Sequence, residues 1–131
     1  MDTESGKEKS RMDQKVHILA LQKKTYASPR ENMDAVRDML AQNKREKPDF
    51  LLLPEIFTCP YDNSQFPLFA QKDGDSVYCF LSELARTNHF YVIGGSVPER
   101  DEEGKIYNTS YVFDRKGELI GKHRKVHLFD I

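Results

Sequence analysis

The sequence predicts an α/β fold with parallel strand pairing, on three observations. Short apolar segments alternate with two longer segments of helical periodicity. The first two apolar segments carry hydrophobic residues on both faces, as strands in a sheet interior do. The last third of the chain holds two extended segments around a tight turn. Composition agrees, because 131 residues with 38% hydrophobic and 31% charged content can bury one core.

The chain opens with MDTESGKEKSRMDQ, residues 1–14, which has no aromatic or β-branched aliphatic residue and mixes both charge signs. Such a stretch cannot offset the entropy of ordering and is expected to be a flexible tail, leaving 15–131 as the domain. Its acidic residues argue against a mitochondrial presequence. In KVHILALQ, residues 15–22, Val16, Ile18 and Ala20 alternate with His17, Leu19 and Leu21. This first strand is therefore expected in the sheet interior.

SPRENMDAVRDMLAQNKREK, residues 28–47, begins as a helix should: Ser28 at the N-cap, Pro29 at the first helical position and Glu31 completing a capping box. Met33, Val36, Met39 and Leu40 share one face. The basic run KREK (44–47) is expected in the last turn, where cations complement the carbonyl end of the helix dipole, and Pro48 to stop the helix. Residues 49–53 form the second strand, completing a βαβ unit. A loop is expected from Pro54 to Asp75. After it, Val77, Phe80, Leu81, Leu84 and Ala85 mark the buried face of a second helix over 76–89. HFYVIGGSVP (89–98) reads as one strand closed by Gly94, Gly95 and Pro98. IYNTSYVFD and ELIGKHRK then flank DRKG (114–117), a hairpin turn with glycine at the position needing positive φ.

Net charge and cysteine usage exclude whole classes of function. A formal charge of −1 supplies no field to hold nucleic acid or an acidic membrane. No apolar run is long enough to span a bilayer, and no hydrophobic signal segment opens the chain. Cys59 and Cys79 have neither metal-ligand spacing nor a disulfide framework, which fits a reducing compartment and a cytoplasmic location.

Glu55 stands where an α/β sheet places ligands, at the carboxyl end of a buried strand. A carboxylate there is partly desolvated and suits a general base, but it can equally cap a loop or make a structural pair. Spacing alone does not choose. Lys125 is by residue type a surface lysine, unless the fold brings it to Glu55. About 4 Å apart at an effective dielectric near 20, the two charges would interact by about 4 kcal/mol and hold each other ionised. Cys59 has no nearby histidine or cation to activate it and reads as structural. His123 and His127 form the one close histidine pair, but strand spacing separates them by about 13 Å, too far to share a metal. No metal site is expected. Asn108-Thr109-Ser110 matches the glycosylation acceptor pattern, yet it lies inside a predicted strand. IGGS (93–96) is too short for a phosphate loop, which also weakens a flavodoxin-like nucleotide-binding reading.

Three segments, LPEIFTCPY (53–61), YVIGGSVPE (91–99) and YNTSYVFDRKGELIGKHRKVHLFDI (107–131), resemble the carbon-nitrogen hydrolase (nitrilase) superfamily in this order and spacing, nearest its omega-amidase branch. The resemblance runs from about Lys15 to the last residue. It implies the amino-terminal portion of an αββα sandwich, usually oligomeric, that hydrolyses non-peptide amide or nitrile bonds without metal or organic cofactor. By motif position Glu55 is the expected general base and Lys125 the expected oxyanion-stabilising cation. Tyr61 either lines the substrate pocket or packs on the core. GGSVPE is expected to be a core strand and loop without a catalytic role.

The resemblance also implies a nucleophilic cysteine some tens of residues beyond Lys125, a place neither Cys59 nor Cys79 occupies. The domain is therefore expected to be incomplete, the chain alone inactive, and one sheet face left open to aggregation or to a complementary partner. The expected substrates are small dicarboxylate monoamides. The alternatives are another amidase or carbamoylase of the superfamily, or a truncated noncatalytic homologue serving as an interaction module.

Overall fold

The computed structural model describes residues 14–72 and 75–125, so the expected tail lies outside it except for Gln14. Among the described residues the order is β1 (Ile18–Ala20), α1 (Pro29–Gln42), β2 (Phe50–Leu52), α2 (Phe66–Phe69), β3 (Gln71–Lys72), α3 (Asp75–Asn88), β4 (Tyr91–Ile93), β5 (Val97–Arg100), β6 (Ile106–Phe113) and β7 (Leu119–Arg124). All seven strands join one sheet in the order β1-β2-β4-β6-β5-β3, with β7 also paired to β6. The predicted βαβ unit is present, with β1 parallel to β2 and Leu19 opposite Leu51.

Four expectations need correction. β1 is an edge strand rather than an interior one: it pairs with β2, and Val16 and Ile18 are 57% and 60% exposed. Apolar residues on both faces report the absence of a polar face, not the presence of a second neighbour. The first helix ends at Gln42, before the KREK run, because the Asn43 side chain donates to the Met39 carbonyl at 2.7 Å and its backbone N–H turns back to Leu40. Its predicted start holds: Ser28 Oγ accepts from the Glu31 N–H at 3.3 Å, and Glu31 returns a carboxylate to the Ala27 N–H at 3.2 Å. The expected loop from 54 to 75 contains α2 and β3, both too short for periodicity to reveal. Finally, the segment 89–98 is two strands, and Pro98 lies inside the second. Pairing of β5 to β3 begins one residue later, at Glu99, so the missing proline N–H leaves that edge intact.

Helices α1 and α3 pack on one face of the sheet. Val36 from α1 and all five predicted residues of α3 (Val77, Phe80, Leu81, Leu84 and Ala85) are buried with Leu51, Val92, Val97, Tyr111 and Phe113. Those strand residues share one face by register, since Leu51 lies opposite Val92, Val92 opposite Phe113 and Val97 opposite Thr109. Strand alternation sends Phe50, Leu52, Tyr91, Ile93 and Val112 to the other face, where they are only partly buried. Neither α1 nor α3 reaches that face; among the described residues only the single turn of α2 meets it, at the far end of β6, where Phe66 and Phe69 pack with Ile106 and the Pro67 carbonyl accepts from Arg100.

The break between β4 and β5 is where the sheet changes partners. β4 pairs with β2 on one edge and β6 on the other, whereas β5 pairs with β3 and β6. Gly95 makes the turn at φ 59, and a Cβ there would stand 2.0 Å from the Pro54 oxygen and 2.6 Å from the Leu53 oxygen. Gly95→Ala is expected to cost about 3 kcal/mol or more, from the left-handed backbone plus the clash. Gly104, at φ 86 with open space around it, provides the control. Gly104→Ala should lose only about 1 kcal/mol in urea denaturation, the conformational part alone. Equal losses at the two positions would show that the approach to Pro54 is not tight.

Candidate functional site

Glu55 leaves the sheet three residues past β2, as the sequence predicts, through a chain reversal held by the β4–β5 break. Leu53 N–H donates to the Ile93 carbonyl at 3.0 Å, and Ser96 N–H donates to the Pro54 carbonyl at 3.3 Å. Ser96 then accepts twice, from Ile56 N–H at its hydroxyl (3.0 Å) and from Phe57 N–H at its carbonyl (3.3 Å). These bonds force Ile56 to φ 45, a conformation that β-branched residues rarely adopt. Farther along, the buried amide of Asn32 in α1 donates to the Thr58 carbonyl at 2.9 Å and fixes the loop against the first helix. A strained residue beside the candidate acid is a recurrent property of functional loops.

The reversal places Glu55 against the end of the hairpin. Lys125 Nζ lies 3.6 Å from Glu55 Oε1, although the two residues are far apart in sequence. Both side chains are about half exposed, at 52% and 55%. The desolvation expected of Glu55 is thus not present in the chain as it stands, and the pair is screened well below the interior-like Coulomb figure. Asn108 of β6 joins them: its Nδ2 donates to Glu55 Oε1 at 2.9 Å, and its main-chain carbonyl accepts from Lys125 N–H at 2.9 Å. The three residues, with Gly95, Ser96, Ser110 and His123, line an open cleft of about 270 Å³. In the strands, Asn108, Ser110 and His123 share the face opposite α1 and α3, so the cleft opens on the side that those helices leave uncovered. Two larger hollows lie elsewhere, one at the α1–α3 seam with Arg37, Cys79 and Glu83 in its lining and one around Asp49.

Sequence reasoning missed Asn108 and Glu99. Asn108 had drawn notice as a glycosylation acceptor, but it is 4% exposed within β6 and engaged with Glu55. Glu99, in the GGSVPE stretch expected to be inert, is fully buried. It accepts from Thr109 Oγ1 at 2.7 Å, Lys122 Nζ at 2.7 Å and Arg124 Nε at 2.8 Å. Burial pushes its carboxyl up, but the hydrogen bonds from Arg124, Lys122 and Thr109 together outweigh burial and hold it down, to about 2. The arrangement also sets the direction of Lys125. Glu99 holds Lys122 and Arg124 on the helix-covered face, and a period of two then sends His123 and Lys125 to the other.

Cys59 is no partner for Glu55. It is buried with Ile56 and Phe66 in a second, smaller core. Burial pushes its thiol up to about 11, against a weaker opposing hydrogen bond with Thr58. Cys79 is exposed on α3. Tyr61 is 64% exposed and packs edge-on to Phe66, with ring centroids 5.4 Å apart, outside the cleft lining. His127 of the histidine pair lies outside the described residues. Among the described residues no cluster of three His, Cys, Asp or Glu could hold a metal, and no helix is long and apolar enough to cross a membrane.

A family model for carbon-nitrogen hydrolase matches residues 15–131. Over 102 residues the chain is 45% identical to omega-amidase NIT2 of Bos taurus, covering 77% of this chain and 36% of that protein. It is 37% identical over 129 residues to omega-amidase NIT3 of Saccharomyces cerevisiae, covering 92% of this chain and 44% of that protein. The crystal structure of Saccharomyces cerevisiae Nit3, a member of branch 10 of the nitrilase superfamily, superimposes with a TM-score of 0.74 at 32% identity, over 86% of this chain and 44% of that one. The α/β architecture is thus that of nitrilase-superfamily structures. The chain spans less than half the length of these relatives.

Glu99 generates a prediction with a definite sign. Its folded-state carboxyl lies below its unfolded value, so its stabilisation is present above about pH 4.5 and is lost as the pH falls toward about 2. Converted by linkage, that shift amounts to on the order of 3 kcal/mol. Glu99→Gln, which strands Lys122 and Arg124 without their anion, is expected to destabilise the protein by about 3 kcal/mol at pH 7. It should also flatten the loss of stability between pH 4.5 and 2. Urea denaturation of both proteins across that range checks it, and an unchanged acid slope in the variant would reject the assignment.

Proposed function

The chain belongs to the carbon-nitrogen hydrolase family, and from that membership we propose that Glu55 and Lys125 are the general base and the oxyanion-stabilising cation of an omega-amidase-like hydrolase. The observation that carries this reading is their meeting in one cleft, 3.6 Å apart, on the face opposite α1 and α3. The proposed substrates are small dicarboxylate monoamides such as 2-oxoglutaramate, by likeness to the relatives named omega-amidases. No cysteine lines the cleft, and the proposed nucleophile is a cysteine that this chain does not contain.

The chemistry follows from the groups in place. Glu55 takes the thiol proton, and the thiolate attacks the amide carbon. Lys125 stabilises the oxyanion that forms, a service worth a few kcal/mol when the cation is already in position. Glu55 returns its proton to the departing nitrogen, and ammonia leaves a thioester. The same carboxylate then draws a proton from water, which attacks the thioester, releases the carboxylate product and restores the thiol. Tyr61 is assigned no part in these transfers; its proposed place is the pocket wall. The complete protein is proposed to be a homo-oligomer.

The exposure of Val16, Ile18 and Ile120 favours a second reading, in which the chain is a noncatalytic module that binds through its apolar surface. One experiment separates the two. Incubated alone with 2-oxoglutaramate, the purified chain is expected to release no ammonia. Mixed with the carboxyl-terminal portion of the yeast relative, which supplies the rest of the domain, it should release ammonia. Glu55→Gln and Lys125→Met should each reduce that rate by about 100-fold or more. Ammonia released by the chain alone and lost in Glu55→Gln would overturn the requirement for an outside nucleophile. A reconstituted activity indifferent to both substitutions would overturn the assignment of the pair.

A further inference from the structure

Asn108 makes more contacts with the candidate pair than an interior amide needs for its own satisfaction. Its Nδ2 reaches Glu55 Oε1, the same oxygen that faces Lys125 Nζ, while its main-chain carbonyl holds the Lys125 N–H. Its own Oδ1 is buried and has no hydrogen-bond partner among the described residues. An unsatisfied buried acceptor is costly, and an apolar residue of the same shape would remove the cost. Flipping the amide would not help, because it would set an oxygen against the Glu55 carboxylate. The orientation is fixed by the acid, not by the surroundings of the amide.

We propose that Asn108 is a positioning residue that fixes the rotamer of Glu55. It holds Oε1 toward Lys125 and leaves Oε2, which has no protein partner among the described residues, as the oxygen that carries the proton. The proposal rests on the reading of Glu55 as the general base and adds the device that decides which of its oxygens acts. Because β6 supplies both contacts from one residue, a displacement of the strand moves acid and cation together. Distance between the two is thereby kept even though both side chains are half exposed and reached by water.

Carbodiimide coupling of the purified chain reads that distance directly, since it joins a carboxylate to an amine only when they touch. The wild-type chain is expected to give a Glu55–Lys125 cross-link, identified by peptide mass spectrometry. Asn108→Ala should lower its yield about tenfold, the factor that one hydrogen bond to a charged group is worth. The exposed Lys105–Glu103 pair, 3.9 Å apart on another turn, serves as the internal reference and should cross-link equally in both proteins. Asn108→Asp, nearly isosteric, guards against a folding defect in the alanine variant. It should lose the cross-link near pH 7, where it adds a second negative charge, and regain part of it toward about pH 5, where a shared proton restores a donor. An undiminished Glu55–Lys125 yield in Asn108→Ala, or an Asn108→Asp yield equal to wild type at both pH values, would overturn the positioning role. Ammonia release reports the base assignment separately, so Asn108 can fail while Glu55 stands.

Discussion

The candidate site depends on one constraint: the chain reversal after β2 and the break between β4 and β5 must satisfy each other's backbone groups. A strand that leaves one partner for another exposes N–H and C=O groups at the change, and buried groups of this kind must be paired. Ser96 resolves this by serving the other segment with its amide, its carbonyl and its hydroxyl. Gly95 allows the approach, because any side chain there would occupy the position of the Pro54 oxygen. The geometry has a cost, visible in the left-handed Ile56. Burial of Ile56 with Phe66 and Cys59 offsets it. Cys59 thus bears on the acid indirectly, by packing under the residue that follows it, and the same burial that makes it useful there disables it as a nucleophile.

A second constraint, the buried charge of Glu99, governs the other half of the pair. β7 is bordered by solvent along much of its length, with Leu119 and Ile120 exposed, so apolar patterning specifies its register weakly. Two cations meeting one fully buried carboxylate specify it strongly, because a slip of one residue would carry both out of reach. Lys122 and Arg124 also lie over the rings of Tyr111 and Tyr107, 5.7 and 4.4 Å from the centroids, which narrows their positions further. Lys125 then faces the cleft by alternation, with its N–H held on the Asn108 carbonyl. The acid and the cation of the site are set by separate devices, a backbone exchange and an ionic clamp, on opposite faces of the same sheet.

What the sequence made legible was local. The capping box, the hairpin glycine and the buried stripe of α3 each follow from a few neighbouring residues, and each is found where predicted. The position of β1 was not legible, because its pattern is compatible with either an edge or the interior and only the neighbours decide. The end of α1 was missed since Asn43 competes for the Met39 carbonyl through a side-chain bond that periodicity does not encode. Glu99 and Asn108 were missed for a related reason. Their partners lie 10 to 53 residues away in sequence and reach them only through the hairpin and the reversal, and neither residue type advertises a role. A glutamate after a proline looks like loop chemistry until two cations are seen beside it. The apposition of Glu55 and Lys125 was expected from family resemblance, not from spacing, and no periodicity could have supplied it.

The exposure of that pair ties its electrostatics to the state of the face opposite α1 and α3. An ion pair with both members half in water contributes about 1 kcal/mol or less, and it focuses little field on a bound carbonyl. The same charges with water excluded act through a lower effective dielectric, where their interaction is several times larger and a developing oxyanion is correspondingly better stabilised. The surface that must be covered to achieve this is the one carrying Phe50, Leu52, Tyr91, Ile93 and Val112, which the helices do not protect. Covering it would therefore do two things at once: bury apolar area, at about 25 cal/mol per Å², and dry the cleft at its edge. Stability and the electrostatics of the candidate pair are then not separable properties of this sheet. An element packed on this face would complete the core and move the Glu55–Lys125 pair from a solvated surface contact to a drier, lower-dielectric setting in the same step.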